Sequence, residues 1–376
     1  EVWYSQYPVA PKDKKMQKFP TKYDLKELFK LHEEGWLKMS QYKDQLYIFC
    51  YSPKCQYEKF WTPVTLAMRG MVLGREGEVI GQCLPKFFNL SEVPETRAEN
   101  LPREPYEIFT KIDGSMISTF YNPYEERWQH ASKCSFDNEY IDAAYRFLPT
   151  KNLSYILPIV MMLTSEVRFD TDPMRRVTDT PEGLYLITSW AFTLDCDSEG
   201  LLVNYIDEFS REQSEFVASR LGIGIVSKYS DKLEDKLQSF NYEKETEGYV
   251  VRFQSGFRTK LKTAWYLQLN KVLDDFGPGK ARETVKEYLT NYDMTLDWIK
   301  YLPDEMWQEA EDIARQVLED YNNQVYLVDR LYNRHYSRDK KTFALAVKDL
   351  PEAPYLFSKY KDPEGVGYKT LIWKNV

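Results

Sequence analysis

Two hydrophobic rhythms in one chain limit what it can fold into. Between Asp304 and Asn333 apolar side chains recur every three or four positions (Met306, Ala310, Ile313, Val317, Tyr321, Val325, Val328, Leu331), the period of an amphipathic helix. Between about residues 44 and 262 the apolar residues instead fall in short β-rich runs separated by turn sequences. Period-2 and period-3.6 patterns bury their faces in different layers, so a large α+β domain followed by a helical one is expected. The boundary is drawn at 265/266, giving domains 1–265 and 266–376, with Gly277-Pro278-Gly279 as a hinge or loop near the junction.

Within the first domain, strands are expected at Gln45–Tyr51, Met71–Leu73, Val79–Gln82, Tyr106–Lys111, Met116–Tyr121 and Gly183–Trp190. The cleanest hairpin is Gly248–Phe253, Gln254-Ser255-Gly256, Phe257–Lys262. Helices are expected at Asp24–Glu34, where Asp24 and Glu27 have the spacing of an N-cap and its partner, and at 137–147 and 207–221. In the second, Lys280–Tyr292, Asp304–Asn333 and Asp339–Lys348 read as helices; Pro303 suits a first turn, and Asp304 and Glu305 suit the positive end of the dipole.

Composition removes several classes. With 43% hydrophobic and 29% charged residues the chain has the balance of a globular protein, which excludes wholesale disorder. The longest apolar run, Ile156–Leu163, falls far short of the roughly 18–20 residues a membrane span needs. No basic segment precedes an apolar one at the start, so no secretory signal is read; the chain does not begin with Met, and residues upstream are expected. Five cysteines without a C-x-x-C pair and only three histidines argue against a zinc site or a disulfide framework, and for reduced thiols inside a cell. A net charge of −8 argues against coating nucleic acid through bulk electrostatics, though not against a localised basic groove.

The sharpest local feature is Lys111-Ile112-Asp113-Gly114-Ser115, a lysine at the end of an apolar strand beside a tight turn. Alone, this pentapeptide fits a surface hairpin with a solvated lysine as well as it fits a projected nucleophile. Its weight comes from its companions in order: Arg69-Gly70, Lys86-Phe87-Phe88-Asn89-Leu90, Ser132-Lys133, Ser165-Glu166-Val167, Glu247-Gly248-Tyr249-Val250-Val251 and Lys260-Leu261-Lys262. Lys260 and Lys262, at i and i+2 on one strand, point to the same face and can hold a polyphosphate from one side.

In this set the chain resembles the covalent nucleotidyltransferase superfamily of ligases and capping enzymes, whose motifs are K-x-D-G, E-G followed by apolar residues, and K-x-K. Ser115, two residues after Asp113, resembles RNA ligases, since DNA ligases and capping enzymes usually carry Arg there. Ile48–Ser52, Lys260-Leu261-Lys262 with Trp265-Tyr266, Asn333-Arg334-His335 and Asp339–Ala346 are similar to the RNA ligase 1 family, the tRNA-repair ligases of T-even bacteriophages. The likeness is looser over 137–160 and 190–240, and poor over the last 25 residues.

The resemblance implies an α+β nucleotidyltransferase (ATP-grasp-like ligase) domain of antiparallel sheets with flanking helices, plus an all-helical C-terminal domain for tRNA specificity. It implies that Lys111 attacks the α-phosphate of ATP to give a lysyl-AMP, that AMP passes to an RNA 5′-phosphate, and that a 3′-hydroxyl then displaces it. Lysine attacks only as the neutral amine, so its reference pKa near 10.4 must fall; Lys260 and Lys262, placed nearby by the resemblance, would depress it. By the same resemblance Arg69 and Glu166 contact the ribose, Tyr51 and Lys86 line the ATP site, Lys133 meets a phosphate, and Lys260 and Lys262 clamp phosphates. Glu247 and Glu166 hold Mg²⁺ or its waters, with Mn²⁺ as a substitute, and Asp293 is the nearest counterpart to a further acidic metal ligand. Tyr266 and Asp113 are placed beside the nucleotide.

Arg330, Arg334, Arg338, Lys340 and Lys341, among aromatic side chains, are the candidate RNA contacts; the three arginines form one stripe if the helix continues that far. The partners implied are RNA, in particular nicked tRNA, and a separate end-healing kinase/phosphatase. A cytoplasmic monomer is expected, in a host cell's cytoplasm if phage-encoded, with no membrane role. Two rivals remain. A DNA ligase or capping enzyme shares the motifs but usually continues into a β-rich domain, against the helical pattern after 280. A non-catalytic RNA-binding protein on a ligase fold would not need every motif residue intact.

Overall fold

The structure is a computed structural model, and it describes residues 17–112, 114–170, 180–243, 247–263, 279–302 and 306–376. The chain divides into two compact units, 1–269 and 270–376. The first begins β1 (Lys18–Phe19), α1 (Leu25–Glu33), β2 (Leu37–Tyr42), β3 (Leu46–Tyr51), α2 (Pro53–Glu58), α3 (Pro63–Ala67), β4 (Arg69–Gly74) and β5 (Val79–Gly81). It continues with β6 (Phe88–Asn89), β7 (Tyr106–Thr110), β8 (Ser115–Asn122), β9 (Arg127–Ser132), α4 (Glu139–Phe147) and β10 (Met161–Arg168). Then come β11 (Gly183–Cys196), β12 (Leu202–Glu208), α5 (Arg211–Leu221), β13 (Gly224–Ile225), β14 (Lys228–Tyr229), α6 (Leu233–Ser239), β15 (Gly248–Phe253) and β16 (Arg258–Lys262).

Among the described residues these strands form three sheets. One has the order β1-β12-β11-β10-β8-β9 with β13 beside β11, one runs β14-β7-β15-β16-β6, and one is the meander β2-β3-β4-β5. Pairing is antiparallel, as expected, except at β11–β13 and β16–β6, which are parallel.

The β11 sheet is apolar on both faces. Phe120, Ala131, Met162, Trp190 and Ile206 pack with Ile48, Phe49, Met71 and Val72 of the meander and with Leu28 of α1. Ile117, Leu163, Val167, Leu184 and Leu186 pack on Ile141 and Ala144 of α4 and on Val217 of α5. Local chemistry starts α1 and α4 where the sequence indicates, whereas α5 begins at Arg211 and not at 207, because Asp207 and Glu208 still pair with β11 as the end of β12. Asp24 accepts from the Lys26 amide at the head of α1, Asn138 from Ile141 at α4, and Ser210 with Gln213 forms a capping box at α5.

The β15 sheet behaves differently. Tyr249, Val251 and Phe253 of β15 and Leu261 of β16 join Ile108, Leu233 and Phe240 in a core under α6. The alternate positions of β16 are Arg258, Lys260 and Lys262, all buried, at 9%, 7% and 5% exposure. A strand that presents one apolar face and one buried cationic face is arranged for an anion, because buried charge is costly unless paired.

The second unit is helical in its described residues: α7 (Ala281–Asn291), α8 (Trp307–His335), α9 (Lys340–Val347), α10 (Ala353–Lys361) and α11 (Gly367–Asn375). Val328 and Tyr332 of α8, Phe343 and Val347 of α9, Leu356 of α10, and Tyr368 and Ile372 of α11 form its core. No helix among the described residues is long and apolar enough to cross a membrane.

Candidate active site

The site is assembled by strand register. Lys111 directly follows β7, and its backbone N–H donates to the Gly248 carbonyl at 3.2 Å, next to the register pair Tyr249↔Thr110. Gly248 in turn opposes Lys262, and Val250 opposes Lys260. Asn89 of β6 lies beside Lys260, which brings Lys86 to the other edge of the same sheet. Residues separated by up to 176 positions thus share one sheet end. Gly248 makes this close pairing feasible. It sits at φ +143°, and a Cβ there would lie 1.9 Å from the Leu261 carbonyl oxygen, so only glycine fits between Glu247 and the β16 backbone.

Lys111 Nζ is ion-paired with Glu247 Oε1 at 2.6 Å, the two side chains being 16% and 10% exposed. Lys111 thus has a carboxylate for a neighbour as well as the cation of Lys260. Around the pair the charge is positive. Burial, then the charges of Lys86, Arg69, Lys262 and Lys111, hold Lys260 well below the ordinary lysine range. Loss of hydration pulls half-buried Lys86 down to about 7, with Glu92 opposing and Arg69, Lys262 and Lys133 adding to the fall. The Lys86 ammonium donates to Gln56 Oε1 at 2.9 Å.

The other sheets supply the remaining walls. Glu166 of β10 pairs with Met116 of β8, one residue beyond Ser115. Met116 Sδ lies 4.0 Å from Arg69 Nη1, so Glu166 and Arg69 flank it. Gly70 packs so closely on the turn after β9 that a Cβ would lie 2.9 Å from the Lys133 carbonyl oxygen. Tyr51 is buried, with Lys133 Nζ 5.5 Å and Lys86 Nζ 5.3 Å from its ring centroid and Trp61 edge-on at 5.0 Å. Phe87 lies under Lys260 at 4.8 Å and Arg69 at 5.8 Å. The structure therefore brings together Lys111, Tyr51, Arg69, Lys86, Lys133, Glu166, Glu247, Lys260 and Lys262.

A cavity of about 690 Å³ adjoins this cleft. Lys86, Phe87 and Phe88 line it, with Trp61 and Arg258, but Lys111, Glu247 and Lys260 do not, so it borders the site rather than being it.

Asp113 and Tyr266 lie outside the described residues. Asp293 is an exposed residue at φ +50°, just beyond α7 in the second unit. Among the described residues no group of three or more His, Cys, Asp or Glu side chains converges as a metal site. Arg330 and Arg334 are exposed one turn apart on α8; the helix ends at His335, so Arg338 lies beyond it and the three-arginine stripe is shortened to two. Lys340 and Lys341 are exposed in the first turn of α9.

Trp61, Phe87 and a buried triad are additions from the structure. Glu208 of β12 accepts from Arg252 of β15 at 2.9 Å and from Arg258 of β16, tying the β11 sheet to the β15 sheet. Burial alone would raise the Glu208 carboxyl, but the two guanidinium groups hold it below the usual range. Arg258 shares the i, i+2, i+4 face of Lys260 and Lys262, a signal present in the sequence.

Comparison with known proteins finds several likenesses. Residues 67–156 match the family model for RNA ligase, a stretch that includes Arg69, Lys86, Lys111 and Lys133. The chain is similar to a Thermovibrio ammonificans protein named "Putative RNA ligase", at 23% identity over 235 residues, 56% of this chain and 54% of that protein. It thus spans about half the length of the curated relative it matches. Among solved structures it is similar to an Aquifex aeolicus protein named "Putative ATP-dependent DNA ligase", at 14% identity, covering 90% of this chain and 81% of that one with a TM-score of 0.46. It is also similar to an archaeal ATP-dependent RNA ligase, at 11% identity, covering 87% and 86% with a TM-score of 0.46. The family that the motifs resemble and the family whose model matches are the same: RNA ligase.

Proposed function

We propose that the chain is an ATP-dependent RNA ligase that joins a 5′-phosphate to a 3′-hydroxyl through a lysyl-AMP on Lys111. One observation carries this reading. The motif lysine is ion-paired to Glu247 at the end of a sheet in which the next strand but one, β16, buries Lys260 and Lys262. An enclosed array of cations beside a potential nucleophile fits a polyphosphate that is to be attacked and then released.

In the first step the Lys111 nitrogen attacks the α-phosphorus, a P–N bond forms, and the P–O bond to pyrophosphate breaks. Lys260 and Lys262 neutralise the departing charge, and Arg69, Lys86 and Lys133 hold the remaining phosphate and ribose in line. Before attack, Lys111 passes its proton toward Glu247, the base in contact with it. In the second step an RNA 5′-phosphate oxygen attacks the same phosphorus and the P–N bond breaks. In the third a 3′-hydroxyl attacks the 5′-phosphorus, the phosphodiester forms, and AMP leaves.

The donor set fits a divalent cation: Glu166 and Glu247 are hard oxygen ligands, and Mg²⁺ characteristically completes its shell with substrate phosphates and water. Such an ion, with Mn²⁺ able to stand in, supplies charge neutralisation at the triphosphate. Tyr51, with Trp61 against it, offers the aromatic wall for adenine. Arg330, Arg334, Lys340 and Lys341 give the helical unit an exposed basic surface suited to RNA phosphates. Repair of cleaved tRNA, after a separate enzyme has restored the 5′-phosphate and 3′-hydroxyl, is the role this supports best. The helical second unit, where DNA ligases and capping enzymes usually continue in β structure, weighs against those alternatives.

Incubation with ATP labelled at the α-phosphate and Mg²⁺ tests the reading. Covalent label is expected on the wild-type protein and absent from Lys111→Ala. Label retained in that variant, or no label on the folded wild type, would sink the proposal. Joining of a 5′-phosphorylated RNA but not of nicked DNA then separates RNA ligase from DNA ligase.

A further inference from the structure

Two cysteines meet at the edge of the cleft, and the reaction proposed above uses neither. Cys50 is buried on β3, where its register partners are Lys38 on β2 and Arg69 on β4. Cys134, half-exposed, sits in the turn after β9, where Ser132 N–H donates to the Ser135 carbonyl at 3.0 Å. Two contacts fix that turn over the meander. Ser40 Oγ donates to the Cys134 carbonyl at 2.8 Å, and the Lys133 backbone packs on Gly70. Ser40 pairs with Ile48, two residues before Cys50 and on the same face of β3, and Gly70 follows Arg69, the β4 partner of Cys50, so the turn sets Cys134 beside Cys50.

The other buried thiols are committed elsewhere. Cys55 donates to the Phe60 carbonyl at 3.1 Å and Cys83 to the Ala67 carbonyl at 3.3 Å, and burial pushes these thiols up to about 11 and about 12. Cys50 goes the other way. Its neighbour Cys134, with Lys133, Arg69 and Lys38 nearby, outweighs burial and holds it below the ordinary thiol range, while Cys134 itself is raised. Two neighbouring thiols, the inner one flanked by Lys38 and Arg69 on the adjoining strands, have the arrangement of an attacking and a resolving cysteine.

We propose that Cys50 and Cys134 form an oxidisable pair that hydrogen peroxide converts to a disulfide, and that this bond distorts the nucleotide cleft. The Cys50 sulfur attacks one peroxide oxygen, an S–O bond forms, the O–O bond breaks, and the hydroxide released takes a proton to become water. The Cys134 sulfur then attacks the Cys50 sulfur, an S–S bond forms, the S–O bond breaks, and the second oxygen leaves as water with the Cys134 proton. Each peroxide thus oxidises two thiols and is reduced to two waters. Closing a thiol–thiol contact to a bond of about 2.05 Å draws the 132–135 turn toward β3. That movement displaces Lys133, which precedes Cys134, relative to Tyr51, which follows Cys50. The second half of this proposal rests on the nucleotide site of the preceding section; the first half does not.

The full chain, reduced and then treated with hydrogen peroxide, decides both. After denaturation and alkylation, the wild type should lack two alkyl groups, and its Cys50 and Cys134 peptides should be linked, with Cys55, Cys83 and Cys196 all alkylated. Cys134→Ser should give no linked peptide and should retain a dimedone-reactive sulfenic acid at Cys50; Cys50→Ser should give neither. Absence of the linked peptide in folded wild-type protein overturns the pair, as does linkage through another cysteine. Binding of a fluorescent ATP analogue should weaken roughly tenfold on oxidation, recover with dithiothreitol, and be unmoved by peroxide in Cys134→Ser. A linked peptide with unchanged affinity overturns the coupling, whereas failure of the reduced chain to bind nucleotide tells against the ligase reading and leaves the crosslink standing.

Discussion

His130 shows how one side chain ties stability to pH. It lies fully buried on β9, with Nε2 2.9 Å from the Leu148 carbonyl oxygen and Nδ1 2.8 Å from Thr119 Oγ1. A carbonyl only accepts, so Nε2 carries the proton and Nδ1 accepts from the Thr119 hydroxyl. Burial, partly opposed by the Leu148 bond, lowers this imidazole to about 4. Between about pH 4 and 6.5 the unfolded chain binds the proton and the folded one does not. Stability from this residue is therefore complete above about 6.5 and declines as pH falls toward 4, by about 3 kcal/mol in total. Urea unfolding at pH 7 and pH 4.5 should show the loss, and His130→Gln should flatten that part of the profile. An unchanged slope in the variant would mean that another group sets it.

At the scale of elements, one tie between the two large sheets is ionic. Glu208 on β12 meets Arg252 on β15 and Arg258 on β16, all largely buried. Removing the carboxylate leaves two buried guanidinium groups uncompensated, so Glu208→Gln should lower unfolding free energy by about 3–5 kcal/mol. A shift of the urea midpoint at constant slope measures it. A loss below about 1 kcal/mol would show that solvent reaches the arginines.

Much of this architecture is legible in the sequence, for local reasons. The hairpin of β15 and β16 declares itself through alternation and a Gly-bearing turn, and Asp24 marks the start of α1. Other elements give no such signal. β11 is read as ending at Trp190 but runs to Cys196, because its last residues pair with the far end of β12 where Leu194, Leu201 and Leu202 are exposed and no burial pattern accompanies them. α10 and α11 are not expected at all: neither has a side-chain N-cap, and α11 begins at a glycine. In the site, Lys111, Glu247, Lys260 and Lys262 stand out because each lies in a short motif. Glu208 and Trp61 do not, since their roles arise only when distant strands meet.

At the scale of the molecule, the cleft concentrates positive charge in a chain whose net charge is −8. Mutual repulsion among Lys86, Lys260, Lys262 and Arg69 opposes folding of the empty protein, and an anionic ligand relieves it. Saturating Lys111→Ala with ATP and Mg²⁺, which prevents transfer, should therefore stabilise the fold. At a hundredfold excess over the dissociation constant the gain is about 2.7 kcal/mol, read as a rise in the unfolding midpoint. No rise would contradict a nucleotide site in the cleft.

The pairing of β7 with β15, and of β15 with β16, has a bearing on biosynthesis. Lys111 leaves the ribosome well before its counter-carboxylate Glu247, and the two lysines of β16 emerge later still. A nascent polypeptide, or one cut short ahead of Glu247, has Lys111 but neither its ion-pair partner nor the two buried lysines. On the proposed function, competence would wait for β16, and a chain ending before it would not take label from ATP.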